Sequence, residues 1–189
     1  MPKTVFYSAT SLDGFLADAQ DSLEWLFVQA QDPAGPMNYD EFIAAIGAMV
    51  MGRRTYEWVV HHLHESGEPW PYRIPVWVVS HADLPPVPGA DLRFAAGDVR
   101  PVHAALLEAA GERDVWVVGG GDLAGQFADA GLLDELVLYV APVTLGAGRP
   151  LFPRAYALDL LEVERNQDFI CARFRVLGPG ATRWSAAAS

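Results

Sequence analysis

Two segments carry residue types suited to holding an anion. Met51-Gly52-Arg53-Arg54-Thr55 follows a short apolar run and opens a helical pattern. A helix N-terminus carries partial positive charge, so two arginines there are unfavourable without an anion nearby. Backbone N–H groups and arginine forks both suit a phosphate. The plainer reading is two solvated arginines with acidic neighbours. The second segment, Val117-Val118-Gly119-Gly120-Gly121-Asp122-Leu123-Ala124, reads as a strand, a glycine turn and a helix start. Glycine lets a backbone approach a pyrophosphate closely, with the helix N-terminus facing the charge. A plain tight turn would use the same glycines. The letters also fit a dinucleotide fingerprint with alanine in its last glycine slot. That match is weak, because no acidic residue ends the next strand, Leu136 to Val143. Ser80-His81 stands just past a third apolar run, where open α/β sheets collect ligands; turn chemistry alone would also place a serine there.

Other clusters carry less. His61, His62 and His64 with Glu65 lack zinc-helix spacing, and residues 61 and 62 point to different faces, so they read as a solvated helix end. Asp134-Glu135 precedes a strand and reads as a solvated pair. Cys171, the one cysteine, lies in the alternating run Phe169–Phe174 and reads as a small buried apolar side chain. No Gly-x-Ser-x-Gly elbow occurs, so hydrolase chemistry is not supported.

The elements that must position these residues follow from periodicity. The chain has 189 residues, 51% hydrophobic and 20% charged, enough for one domain with a real core. Thr4 to Tyr7 reads as a strand running toward Thr10 and broken at Leu12-Asp13-Gly14. Residues 18–38 read as a loop holding a short helical piece around Trp25. Past Asn38, a candidate N-cap, Tyr39, Phe42, Ile43 and Ile46 share a helix face, and Gly47 ends that helix. Ala48 to Met51 is a buried strand, followed by a helix presenting Tyr56, Val59, Val60 and Leu63. Val76 to Ser80 is a buried strand and residues 82–90 a proline-rich loop. Pro101 sits in the first turn of the next helix. Asp114 to Val118, Leu136 to Val143 and the helix between them, stopped by Gly131, continue the alternation. Leu158–Val163 and Ile170–Val176 should pair as an antiparallel hairpin. The order predicts an α/β fold with a mostly parallel central sheet and an antiparallel C-terminal edge hairpin. It forms one domain over residues 1–178, with 179–189 as a flexible tail.

The net charge of -11 disfavours nucleic acid and anionic lipid as partners, so any phosphate must be held locally. The N-terminus has no charged start followed by a long apolar run, and no stretch reaches membrane-span length. A soluble, cytoplasmic protein is expected.

Five segments together resemble the dihydrofolate reductase superfamily, most closely the reductase domain at the C-terminus of riboflavin-biosynthesis deaminase–reductases and its stand-alone relatives. They are Ser8 to Ala17, Val50 to Tyr56, Val78-Val79-Ser80, Val117 to Gly121 and Ala141 to Phe152, in order along nearly the whole chain. The resemblance implies a three-layer dihydrofolate-reductase-like fold and NADPH as cofactor. It implies that Arg53 and Ser80, with His81 beside them, hold the 2′-phosphate side. Gly52, Arg54, Thr55 and the turn Gly119, Gly120, Gly121, Asp122, Leu123 and Ala124 would hold the pyrophosphate. Ala9 and Leu16 would border the nicotinamide, and the Gly119–Gly120 peptide would be cis. Asp13 is the first candidate for supplying or relaying a proton and Glu24 the second; Trp25 is a candidate for stacking on a flat heterocycle. Homodimers are expected, and, with no zinc-deaminase motif ahead of the domain, a single reductase function. The implied activity is reduction of a pyrimidine- or pterin-like ring. A nucleotide-binding module without turnover, or a structural homodimer whose arginines pair away from the crevice, are the alternatives.

Overall fold

The computed structural model describes residues 1–180. Fifteen elements follow one another: β1 (Thr4–Ser11), β2 (Phe15–Ala17), α1 (Glu24–Phe27), α2 (Tyr39–Ala45), β3 (Ile46–Gly52), α3 (Arg53–Ser66), β4 (Val76–Val79), β5 (Leu92–Ala95), α4 (Val99–Ala110), β6 (Asp114–Gly119), α5 (Gly121–Asp129), β7 (Glu135–Ala141), β8 (Arg149–Pro150), β9 (Tyr156–Asn166) and β10 (Phe169–Pro179). Eight strands form one sheet in the order β5-β4-β3-β6-β1-β7-β10-β9, and β2 and β8 form a separate antiparallel pair. The pairs from β5 across to β7 are parallel, whereas β10 runs antiparallel to both β7 and β9. The parallel strands are near-continuous apolar runs because both of their faces are covered: Val50, Val78 and Val117 are all fully buried.

Alternation along each strand divides the core into two layers. Phe6, Val50, Val115 and Val117 face α4 and α5, packing with Leu106, Leu123 and Phe127. Met49, Met51, Val76, Val78 and Trp116 face the other way, toward Tyr56 of α3 and Phe42 of α2. Asn38 caps α2 as its composition suggests, its side chain accepting the Glu41 N–H at 2.9 Å. Asp98 caps α4 in the same manner.

Three expectations need correction. Gly47 does not stop α2; the helix ends at Ala45 and Gly47 lies within β3. Its bare Cα is needed because a Cβ there would stand 2.5 Å from the Ala110 carbonyl at the end of α4. Glu135 is not solvated. It is buried and receives the Lys3 ammonium at 2.6 Å, while Asp134 accepts the Thr4 N–H at 2.8 Å. Strand β5 falls at Leu92–Ala95, beyond the expected 82–90 loop, where no element was expected. It is a four-residue edge strand with an exposed middle, so it carries little apolar signal, and Arg93 from it covers the Trp77 ring at 4.4 Å. Of the expected tail, Pro179 completes β10 and the Gly180 N–H donates to the Ala155 carbonyl; residues 181–189 lie outside the described residues.

Candidate functional site

The chain leaves β3 through α3 toward β4 on one side, and leaves the adjacent β6 through α5 toward β7 on the other. Two crossovers departing in opposite directions from neighbouring strands open a crevice at the carboxyl ends of both. Gly52 and Gly119 stand at those ends, and Met51 pairs with Gly119. The N-termini of α3 and α5 therefore begin side by side. A Cβ on Gly119 would come 3.2 Å from Thr55 Oγ1, and one on Gly52 3.8 Å from the Gly119 carbonyl. The Gly119–Gly120 peptide is cis, as the resemblance implied.

The glycines of the turn differ in what they permit. A Cβ on Gly120 would meet nothing within 4 Å, so this residue keeps the crevice open. A Cβ on Gly121 would lie 2.3 Å from the carbonyl oxygens of both Pro150 and Leu151; this glycine serves the close packing of β8 on the first turn of α5. The Leu123 and Ala124 side chains belong to the core, leaving only their backbone to face a ligand. Asp122 turns aside, accepting from Arg154 at 2.9 Å and from Gln126 at 2.9 Å.

The arginines are not paired into the protein body. Arg53, half exposed, has only Glu57 of its own helix, at 3.6 Å. Arg54 is exposed and makes no ion pair among the described residues. Ser80 closes a local turn, its hydroxyl donating to the Ala82 carbonyl and accepting the Ala82 N–H, with His81 exposed beside it. From β4, where Ser80 follows, to β1, which carries Ala9, is three strand spacings. At about 4.8 Å each this is about 14 Å, a span suited to a dinucleotide laid across the strand ends.

Ala9 and Leu16 lie on opposite sides of the sheet. Ala9 packs with Trp25, Leu26, Met37, Tyr139 and Val143 on the α2 side, whereas Leu16 packs against the α4–α5 layer. Trp25 is half-buried and its indole N–H donates to the Ser22 carbonyl. Two phenols pin the neighbouring loop: Tyr7 donates to the Met37 carbonyl at 3.2 Å and Tyr139 to the Pro36 carbonyl at 2.6 Å. Burial, reinforced by Tyr139, pushes the Tyr7 phenol far above its ordinary range, so it stays protonated.

The two candidate acids have different circumstances. Asp13 is exposed but fully engaged. It accepts the Ser11 hydroxyl at 2.7 Å and the N–H groups of Leu145 and Gly146 at 3.0 and 2.7 Å, which ties the end of β1 to the glycine-rich turn before β8. The Ser11 hydrogen bond, with those from Gly146 and Leu145, lowers its pKa to about 2. A carboxylate held ionised so firmly is a clamp and a poor proton donor near neutral pH. Glu24, the first residue of α1, is exposed and its carboxylate has no hydrogen bond or ion pair among the described residues.

Sequence reading missed one feature of the site. Arg149 of β8 donates through Nε and, at 2.8 Å, through Nη2 to the two carboxylate oxygens of Asp21. The partners are 128 residues apart, and no local pattern links them.

The family model of the RibD C-terminal domain matches residues 72–180, more than half of the chain. The chain belongs to this family. The uncharacterized protein YwjB of Bacillus subtilis (strain 168) is 31% identical over 150 residues, 79% of this chain and 82% of that protein. The riboflavin biosynthesis protein RibD of Corynebacterium ammoniagenes is 30% identical over 152 residues, 78% of this chain and 45% of that longer protein. A solved structure from Shewanella sp. PV-4, provisionally assigned to riboflavin biosynthesis, matches with a TM-score of 0.78 at 25% identity over 93% of this chain and 99% of that one. Dihydrofolate reductase from Enterococcus faecalis, complexed with NADP(H), shares the fold, with a TM-score of 0.53 at 16% identity over 92% of this chain and 96% of that one. The RibD C-terminal domain of this chain thus has a dihydrofolate-reductase-like α/β fold. No helix among the described residues is long and apolar enough to cross a membrane.

Proposed function

We propose that this RibD C-terminal domain is an NADPH-dependent reductase of a small flat heterocycle, of the pyrimidine type handled in riboflavin biosynthesis or pterin-like. The observation that carries the reading is the crevice at the switch point. Two helix N-termini open there side by side, Arg53 pairs only with Glu57 of its own helix and Arg54 makes no ion pair among the described residues, and a glycine turn admits close backbone approach. These residues fit a dinucleotide. Arg53, Ser80 and His81 hold the 2′-phosphate end, and Gly52, Arg54, Thr55 and the backbone of residues 119–124 hold the pyrophosphate. Ala9 and Leu16 flank the nicotinamide. When bound, NADPH supplies the hydride. The chain orients the acceptor ring, with Trp25 beside Ala9 as a stacking surface. Of the two acids, Glu24 keeps an uncommitted carboxylate and is the residue to relay a proton; Asp13 holds its loop in place.

A second copy of the chain is the proposed partner. Leu158, Leu160, Val163 and Ile170 line one face of β9 and β10, the two outermost strands, and are 38%, 55%, 54% and 50% exposed. Glu162 and Glu164 alternate with these residues and face the other way, while Arg165, opposite Ile170, shares the apolar face, so the strip is a mainly apolar surface for its own copy.

The test is a titration with NADPH and, separately, NADH, beside an Arg53→Ala variant. Expected are NADPH binding in the micromolar range usual for enzyme ligands, much weaker NADH binding, and loss of that preference in the variant. If neither nucleotide binds up to millimolar concentration, the reductase reading fails. If NADPH binds tightly yet no pterin or pyrimidine is reduced, the chain is a binding module on this fold.

A further inference from the structure

The Arg149–Asp21 pair occupies a telling position. Arg149 opens β8 and lies opposite Ala17 at the end of β2; Asp21 follows four residues later in a turn closed by its own N–H donating to the Asp18 carbonyl at 3.2 Å. Asp21 adopts the left-handed conformation, φ 63°, which aims its carboxylate back at Arg149. The next residues after Arg149 are the ones pressed against the α5 N-terminus, because the Pro150 and Leu151 carbonyls lie where a Cβ on Gly121 would fall. The Arg149 hydrogen bonds chiefly, with the Arg149 and Arg54 charges, hold the Asp21 carboxyl below its ordinary range.

Asp21 is therefore a carboxylate paired with Arg149, and the residues after Arg149 pack on the N-terminus of α5. Those surroundings favour an anion whichever molecule carries it. Arg149 meanwhile presents the Nε–Nη2 edge of its guanidinium to Asp21 in a fork that a phosphate would accept equally well. The pair is solvent-accessible, with side chains 39% and 50% exposed. Such pairs are individually weak, so an incoming dianion can displace the carboxylate.

We propose that Arg149 is a further anion-binding residue of the crevice, masked in the ligand-free chain by Asp21, and that a phosphate or diphosphate group of the ligand takes Asp21's place on it. This rests on the reading of the crevice as a nucleotide site. The diphosphate of the cofactor and a phosphate carried by the substrate share the required chemistry, and separate probes tell them apart.

The experiment compares the wild type with Asp21→Asn, Arg149→Met and the double variant. Asparagine tolerates the left-handed backbone, and thermal unfolding confirms that each variant is folded. The probes are NADPH and, with NADPH saturating, ribose 5-phosphate. Asp21→Asn should bind one probe about fivefold tighter, the scale of one exposed ion pair no longer competing. The double variant should lose that gain. A gain for NADPH assigns Arg149 to the cofactor diphosphate; a gain for ribose 5-phosphate assigns it to a substrate phosphate. If the wild type binds NADPH but Asp21→Asn tightens neither probe, or the gain survives in the double variant, the masking of Arg149 is refuted while the nucleotide reading stands. If the wild type binds neither probe, the crevice reading itself falls.

Discussion

Gly121→Ala separates packing from ligand approach in the glycine turn. The added methyl would fall 2.3 Å from two backbone carbonyl oxygens, those of Pro150 and Leu151. Neither is the tip of a flexible side chain, so β8 or the first turn of α5 must move. Overpacking of this kind costs about 1–3 kcal/mol. For a domain of this size each kcal/mol lowers Tm by about 2–4 °C, so at the middle of the overpacking range, about 2 kcal/mol, a fall of about 4–8 °C is expected. The displacement also carries Arg149 and the turn held by Asp13 away from the crevice, so NADPH affinity should fall too. Gly52→Ala is the contrasting variant. Its methyl would meet only the Gly119 carbonyl at 3.8 Å and Gly120 N at 4.0 Å, ordinary contacts, and its backbone is extended, φ -82° and ψ 168°. Replacing glycine by alanine as the N-cap of α3 costs about 0.5–1 kcal/mol, so Tm should move by about 1–4 °C, less than in Gly121→Ala, while NADPH binding weakens. Differential scanning calorimetry and fluorescence titration read both quantities. An unchanged Tm in Gly121→Ala, or equal losses of Tm in both variants, would refute the division of roles.

Two further outcomes are expected. Asp13 has its folded pKa depressed, to about 2 against 3.8, so its contribution to stability is present above about pH 4 and lost as pH falls toward 2. Asp13→Asn should therefore weaken NADPH binding by a similar factor at every pH from 5 to 8; a midpoint in that window which the variant abolishes would restore Asp13 as the proton donor. A charge placed in the apolar strip of the outer hairpin, Leu160→Glu with Val163→Glu, should convert a dimer to a monomer in light scattering with little change in Tm. A wild type that is monomeric at all concentrations would remove the proposed partner.

What was legible in the sequence divides by range. The parallel strands were visible because burial on both faces leaves continuous runs such as Val76–Val79, and the terminal hairpin because its residues nearly alternate. The two helix starts at the strand ends were visible because each follows a buried apolar run directly, through Gly52 into Arg53 and through Gly119-Gly120 into Gly121. Strand β5 escaped because an exposed edge of four residues needs no apolar pattern. Gly47 misled because a glycine after a helical run signals a stop, whereas here α4 presses on β3 from across the layer. Asp13 illustrates the limit most clearly. Its type and its place in the loop were readable, but its engagement by Leu145 and Gly146 joins residues 132 and 133 apart, and that engagement decides whether it can give up or accept a proton.

The paired tyrosine tethers have a consequence for the range of acceptors. With Tyr7 and Tyr139 both anchoring carbonyls of the 36–37 stretch, the wall on the Ala9 side behaves as a fixed jaw. The Asp18–Ser22 turn is held otherwise, by four short-range hydrogen bonds and the exposed Arg149 pair. Under the proposed reductase function, ring thickness would be judged by the tyrosine-pinned side and whatever hangs from the ring by the Arg149 side. Relatives that share the tyrosines but differ at Asp21 or Arg149 should accept the same kind of ring with different substituents.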